Sequence, residues 1–269
     1  MDNTSVEKIA EYGASVNEPK QFNDYSKPFL TLPPGWNVAD IESHLPQPLR
    51  KKGSIALASA SAFIEYTNRH LDADATVLMA DELASRFKAV FNHHGKEAAG
   101  WGDHSATYNC PLSPEWKIWT GADGNKNARN QIAFAQFIED NNLDITAPAA
   151  ATMLEVSRTL QATTKAAFAS AIRLDNGQCQ FTYNEEIVGK AGHKGEFKIP
   201  EQFTITIPVY LGGPAYNIIA RLRYRIKDGE LTMWYDLLRP HKYLEDAFKD
   251  VKAKIAAGCA VSILDVVSA

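Results

Sequence analysis

Arg221, Arg223 and Arg225 stand two residues apart in the run YNIIARLRYRIKDGELTMWYDLL, residues 216–238. Guanidinium groups are planar forks of donors that match phosphate and carboxylate oxygens. Along a β-strand, side chains two positions apart project about 6.6–7 Å from one another, near the spacing of phosphates along a nucleic-acid strand. The indole of Trp234 and the phenol of Tyr210 are rings on which a base can stack. Such a set suits binding of an anion or of nucleic acid. Asp236 and Glu230 would neutralise part of the charge, and a guanidinium laid over Trp234 would be a cation–π contact rather than a free donor. A solvated face or a subunit contact uses the same residue types.

The second cluster is His93-His94 with Asp103-His104. Imidazole and carboxylate are the ligand types of zinc or manganese. Adjacent residues on a strand point to opposite faces, so only one of the two neighbouring histidines would join Asp103 and His104. No HExxH or CxxC spacing accompanies them, and ordinary loop hydrogen bonds explain the cluster more simply. Pro114-Glu115-Trp116 with Trp119 reads as a helical first turn carrying aromatic anchors. Gly212-Gly213-Pro214 lacks the P-loop lysine and a following helix, so it reads as a connection between strands. Glu185 and Glu186 are strand neighbours facing opposite ways, and no GxSxG elbow occurs. No convergent acid, base and nucleophile are readable. No catalytic residue, metal ligand or cofactor is therefore assigned.

The arginine row depends on a hairpin whose register can be read directly. Asp228-Gly229 signals a type I′ turn, because both central positions need φ > 0. A two-residue loop there pairs Lys227 with Glu230, Arg225 with Thr232, Arg223 with Trp234 and Arg221 with Asp236, all on one face. The other face carries Ile226 with Leu231, Tyr224 with Met233, Leu222 with Tyr235 and Ala220 with Leu237. Tyr224, Leu222 and Met233 are expected in the core, with the arginines outside it. Residues 203–211 alternate Phe203, Ile205, Ile207, Val209 and Leu211 against Thr204, Thr206, Pro208 and Tyr210, which sets Tyr210 on the polar side. Pro208 has no backbone donor, so that strand lies at an edge or carries a bulge there.

Upstream, the pattern is mixed. Residues 54–58, 76–80, 87–92 and 105–110 read as strands, the last two as partners. Residues 60–70 and 127–141 read as helices, the second with Phe134, Phe137 and Ile138 inward. A long helix is expected over 148–172, with Pro148 in its first turn and Met153, Leu160, Phe168 and Ile172 as its stripe. A turn at Asp175-Asn176-Gly177 and a strand at 178–185 follow. A helix over 241–257 closes the domain, stopped by Gly258 and followed by an apolar, extended tail, AVSILDVV. The expected fold class is α+β: a mixed N-terminal half, then an antiparallel sheet packed by a long helix and a C-terminal helix. The expected parts are a polar arm over 1–27, an α/β part over 28–145 that carries an extended Pro-rich segment, and a C-terminal sheet with helices and tail over 146–269.

Composition narrows the classes. A net charge of −4 does not favour indiscriminate binding to nucleic acid or an anionic membrane, so any basic site is local. Cys110, Cys179 and Cys259 are odd in number and far apart, neither a disulfide framework nor a metal motif, and reduced thiols in a cytosolic protein are expected. The opening residues MDNTSVEKIAEYG lack the basic and apolar regions of a secretory leader. No apolar run reaches the roughly 20 residues that span a bilayer.

The runs ATMLEVSRTLQA…LDNGQCQFTYNEEI, IPEQFTITIPVYLGG and ARLRYRIKDGELTMWYDLLRP, with GWGDHSATYNCPLSPEWKIW and FAQFIEDNNLDI, resemble the YfdQ-like family of phage and prophage proteins, a domain of unknown function. The likeness covers nearly the whole chain and is most specific in its C-terminal half. It implies a phage-derived protein of the host cytoplasm with a role around DNA or host factors, and it carries over no catalytic residue.

The resulting expectation is a non-enzymatic phage accessory protein that forms a homo-oligomer and binds a macromolecular partner, nucleic acid or a host protein, through Arg221, Arg223, Arg225, Trp234 and Tyr210. The tail either folds back on its own sheet or adds to a neighbouring subunit. Two alternatives stay open: a metal-dependent or phosphate-handling enzyme built on His93, His94, Asp103 and His104, and a purely structural oligomer.

Overall fold

A computed structural model describes residues 7–8, 13, 42–171, 190–191, 197–227 and 230–267. Most of the 1–27 arm, the Pro-rich segment up to residue 41, the Asp175-Asn176-Gly177 turn, the 178–185 strand, Glu185-Glu186, Cys179 and the turn residues Asp228-Gly229 lie outside the described residues. The chain divides into two compact units, Met1–Lys51 and Lys52–Ala269. In the first, a 3₁₀ turn spans Glu42–His44, and the Leu49 N–H donates to Glu42 Oε1 at 3.2 Å.

The second unit runs β1 (Gly53–Ala56), α1 (Ala60–His70), β2 (Val77–Asp81), β3 (Arg86–Val90), β4 (His104–Asn109), α2 (Pro114–Thr120), β5 (Arg129–Asn130), α3 (Gln131–Asp140), β6 (Ile145–Ala147) and α4 (Ala150–Ala171). It continues with β7 (Lys190–Ala191), β8 (Phe197–Lys198), β9 (Gln202–Pro208), β10 (Ala215–Lys227), β11 (Glu230–Leu237), α5 (Pro240–Gly258) and β12 (Ile263–Asp265). Helices and strands build an α+β fold around two five-stranded sheets, ordered β1-β4-β3-β2-β12 and β5-β11-β10-β9-β6, beside the small β7-β8 pair. Both large sheets draw strands from either side of residue 146, so that position separates no compact units.

The first sheet is mixed. Its β2–β3 and β3–β4 pairs are antiparallel, and β1–β4 and β2–β12 are parallel. Leu78, Ala80, Phe87, Ala89, Ala106 and Tyr108 alternate onto one buried face, as period-two strands require. Helices α1 and α5 cover it, with Phe87 stacked on Phe248 of α5 at 4.8 Å. Ser59 caps α1 by accepting the Ala62 N–H at 3.1 Å, satisfying one of the orphan donors of a helix start. Phe63 and Thr67, one turn apart, are its buried stripe. The two helices approach closely at Gly258, where a Cβ would stand 2.8 Å from Ile64 Cγ2, and the Asn68 amide donates to the Gly258 carbonyl at 2.7 Å.

The second sheet is antiparallel throughout. Phe203, Ile205 and Ile207 of β9, Ile218, Ala220 and Leu222 of β10, and Met233, Tyr235 and Leu237 of β11 form its buried face. Fully burying each such large side chain contributes about 1.5–3 kcal/mol. Against this face pack Trp116 and Trp119 of α2, Phe134 and Ile138 of α3, and Met153, Val156 and Leu160 of α4, within one continuous core. Ser113 caps α2 by accepting the Trp116 N–H at 2.9 Å while its hydroxyl donates to the Pro208 carbonyl at 2.6 Å. That single side chain thus seats the aromatic helix on the end of β9. Trp119 Nε1 donates to Asp144 at 2.6 Å, and the Tyr235 hydroxyl donates to the Trp119 carbonyl at 2.8 Å.

The hairpin register agrees with the sequence reading at every pair from Ala220–Leu237 to Lys227–Glu230. Two details differ from expectation, and two others select between alternatives the sequence leaves open. Tyr224 is 36% exposed although Leu222 and Met233 are buried, because β9 pairs with β10 only as far as Arg221 and, among the described residues, no strand flanks Tyr224 on that side. Helix α4 starts at Ala150 rather than at Pro148, whose preceding peptide bond is cis. At Pro208 no strand flanks β9 on its outer side, since β6 pairs only with Thr204 and Ile205, with a register shift between Ile145 and Ala147. The tail takes the first of its two expected arrangements: β12 adds in parallel to β2 of its own sheet.

Candidate nucleic-acid interface

The outer face of the second sheet carries the residues of β9, β10 and β11 that alternate away from the core. Across it, Arg221, Arg223 and Arg225 form a row on β10, all exposed, with Asp236, half-buried Trp234 and Thr232 opposite them on β11. Contacts run diagonally to the pairing. Arg223 Nε donates to Asp236 Oδ2 at 3.2 Å, and the Arg225 guanidinium lies 5.7 Å from the Trp234 ring centroid. Strand twist brings such diagonal neighbours together. Asp236 therefore neutralises Arg223 rather than Arg221, and Arg225, not Arg223, covers the indole. Arg221 makes no ion pair among the described residues.

On the β9 side the same face continues from Thr206, which the sequence sets on the polar side, to Thr146 and Asn217, which it does not mark. Thr146 of β6 shares a 2.8 Å hydrogen bond with Thr206, whose hydroxyl also lies 2.7 Å from Asn217 Oδ1. A three-residue strand such as β6 has too few positions to display a period, so no signal marked Thr146.

Tyr210 does not belong to this face. It is 2% exposed, and its hydroxyl donates to Ser85 at 2.9 Å. The alternation of β9 ends at Pro208, and Tyr210, the second of two consecutive buried residues after Val209, enters a bridge with Leu112. Burial raises the Tyr210 pKa, against a smaller lowering by the Ser85 hydrogen bond. Gly212, at φ +71°, turns the chain back toward β10 while the Gly213 N–H caps the Tyr210 carbonyl at 2.9 Å, so the glycine pair is a strand connection.

The histidine cluster is dispersed. Asp103 accepts from the Asn92 amide at 2.8 Å, and Asn92 Oδ1 accepts the His104 N–H at 2.9 Å. His104 is 7% exposed, with its ring 4.8 Å from Phe91 and 5.0 Å from His70. His93 and His94 lie past the end of β3, so strand alternation does not separate them, and their rings meet edge-on at 5.0 Å. His94 Nδ1 accepts the Gly100 N–H at 3.1 Å. Among the described residues no group of three His, Cys, Asp or Glu is placed to hold a metal ion.

Two of the thiols, Cys110 and Cys259, are free and buried. Burial pushes Cys110 up to about 12, with a smaller lowering from its hydrogen bond with Tyr108, which keeps it a protonated, unreactive thiol at neutral pH. Burial likewise raises Asp144, partly offset by the Trp119 N–H. Trp116 and Trp119 are core anchors, as their spacing indicated.

Among the described residues no helix is long and apolar enough to cross a membrane. Neither a curated protein nor a solved structure is detectably similar to the chain. A conserved family does match, over residues 2–265, and the chain belongs to it: the uncharacterized conserved proteins of DUF2303.

Proposed function

We propose that this protein is a non-enzymatic binding protein whose open sheet face holds single-stranded nucleic acid. The observation that carries the reading is the exposed Arg221, Arg223 and Arg225 row beside Trp234, in which, among the described residues, only Arg223 is neutralised by a carboxylate. Arginines in line supply backbone contacts, and the guanidinium–indole stack offers a flat, weakly hydrated surface to a base. The residues of the histidine loop are engaged in local contacts, which leaves the metal-enzyme alternative without a convergent site. The resemblance to YfdQ-like proteins supports reading it as a phage or prophage accessory protein of the host cytoplasm. Self-assembly belongs to the same reading: β12 is an edge strand, and Leu264 within it and Val267 just after it are 52% and 74% exposed, a surface that invites a second chain.

Fluorescence anisotropy with labelled oligonucleotides, read across a salt series, tests the binding. Arg221→Glu and Arg225→Glu should each weaken binding at least about tenfold at low salt and flatten its salt dependence. An absence of wild-type binding at low salt removes the nucleic-acid reading and leaves a host protein or a purely structural oligomer. Light scattering at micromolar concentration tests assembly, and a monomer there refutes it.

A further inference from the structure

A cleft of about 320 Å³ opens beside the end of α2 and the start of α3, lined by Lys117, Ile118, Ala122, Asp123, Arg129 and Phe137. Its volume lies at the small end of the range for ligand pockets, about 300–1,000 Å³. Arg129 is its most informative residue. The guanidinium carbon stands 4.4 Å from the Phe137 ring centroid, and Nη1 donates to the Asn127 carbonyl at 3.3 Å. Phe137 in turn stacks on buried Tyr235 at 5.8 Å and meets Trp119 edge-on at 5.1 Å. The charge of Arg129 is thus held against the aromatic floor of the second sheet.

Arg129 makes no ion pair among the described residues. Arg86, Arg158 and Arg223 each have a carboxylate. Arg69, Arg221, Arg225 and Arg239, which do not, are exposed to water. Among the described arginines without a carboxylate, Arg129 alone is half-buried. Taking a charge partly out of water costs free energy unless an opposite charge approaches it. Asp123 lines the cleft but pairs with neither Arg129 nor Lys117. Two cations against one carboxylate leave the lining positive, and Ile118, Ala122 and Phe137 make the rest of it apolar.

We propose that this cleft binds a small organic anion, a carboxylate or a phosphate monoester carried on an apolar body. The anion sits between Arg129 and Lys117, whose donors match its oxygens. The body lies against Ile118 and the Arg129–Phe137 stack. This site lies away from the arginine row of the sheet face and does not depend on nucleic-acid binding there.

Isothermal titration of the full chain with phenyl phosphate, benzoate and the neutral benzyl alcohol tests it. At least one anion should bind with Kd of about 1 mM or tighter, and benzyl alcohol should bind at least about tenfold more weakly. The tighter of the two anions assigns phosphate or carboxylate. Arg129→Gln should weaken the anion at least about tenfold. Because that change also removes the contact with Phe137, Ala122→Trp, at an exposed position, fills the cleft by a separate route and should have the same effect. Arg225→Glu should leave this titration unchanged. The proposal is overturned if neither anion binds, if benzyl alcohol binds equally well, or if Ala122→Trp leaves the affinity intact.

Discussion

The hairpin of β10 and β11 and the loop from Asn92 to His104 both gather polar side chains with chemical potential, and folding treats them in opposite ways. On the hairpin, alternation sends Arg221, Arg223 and Arg225 to water while Leu222 and Met233 enter the core. In the loop, the candidate site residues turn back on the chain: Asn92 bonds both Asp103 and the His104 backbone, His94 accepts from Gly100, and His104 is buried. Gly100 makes that return possible, since a Cβ there would stand 2.2 Å from the His93 carbonyl oxygen. A strand commits a side chain to a side through its period, whereas a loop commits it only through the contacts it happens to close. Polar residues on the open face of an antiparallel sheet remain available for binding, and those in a compact loop tend to satisfy the loop itself.

The largest effect that would break this contrast lies on the inner face of the hairpin. Met233 is 0% exposed and half-buried Trp234 points the other way. Met233→Ala should cost about 2–5 kcal/mol of stability in urea unfolding, and Trp234→Ala clearly less. Equal losses would mean that the outer face is itself covered.

A smaller effect tests the loop. Asn92→Ala removes two hydrogen bonds, one to the Asp103 carboxylate and one from the His104 N–H, which should cost about 1–3 kcal/mol and leave oligonucleotide affinity unchanged. A loop variant that lowers binding while keeping stability would move the functional site away from the sheet.

The smallest effect sharpens the picture of the platform. The Arg223–Asp236 pair is solvent-exposed at 47% and 30% of the two side chains, so a double-mutant cycle with Arg223→Ala and Asp236→Ala should give a coupling of about 0.2–1 kcal/mol, falling with salt. A coupling near zero would free Arg223 to act as a third unneutralised cation in the row.

Much of the fold was legible before any coordinates, and the reason differs by element. Helix α1 spans the 60–70 segment that reads as a helix, and the structure shows Ser59 capping it and Phe63 on its buried side. Strands β3 and β4 were recognised as partners because their apolar positions alternate on either side of a glycine-bearing loop. Of the residues read as a platform, Arg221, Arg223, Arg225 and Trp234 lie on the outer face of the sheet and Tyr210 does not. Tyr210 was assigned by extending the alternation of β9 two residues past Pro208, where the strand had already ended. Pro148 was placed in a helix by its position before an apolar stripe, but the helical turn begins two residues later.

What the sequence determined by itself was local and periodic: the α+β class, the register of the hairpin, and the division of its side chains into two faces. Each of these follows from neighbours along one chain, where a period of two and a turn position leave few options. Tertiary structure decided everything that joins distant segments. It brought β12 beside β2 across nearly the whole unit, carried Tyr210 to Ser85, left Tyr224 beyond the reach of β9, and set Lys117 and Arg129 around one cleft. Such contacts depend on how two faces pack and where a strand stops. Those outcomes are fixed by the summed burial of many side chains, and no single spacing in the sequence records them.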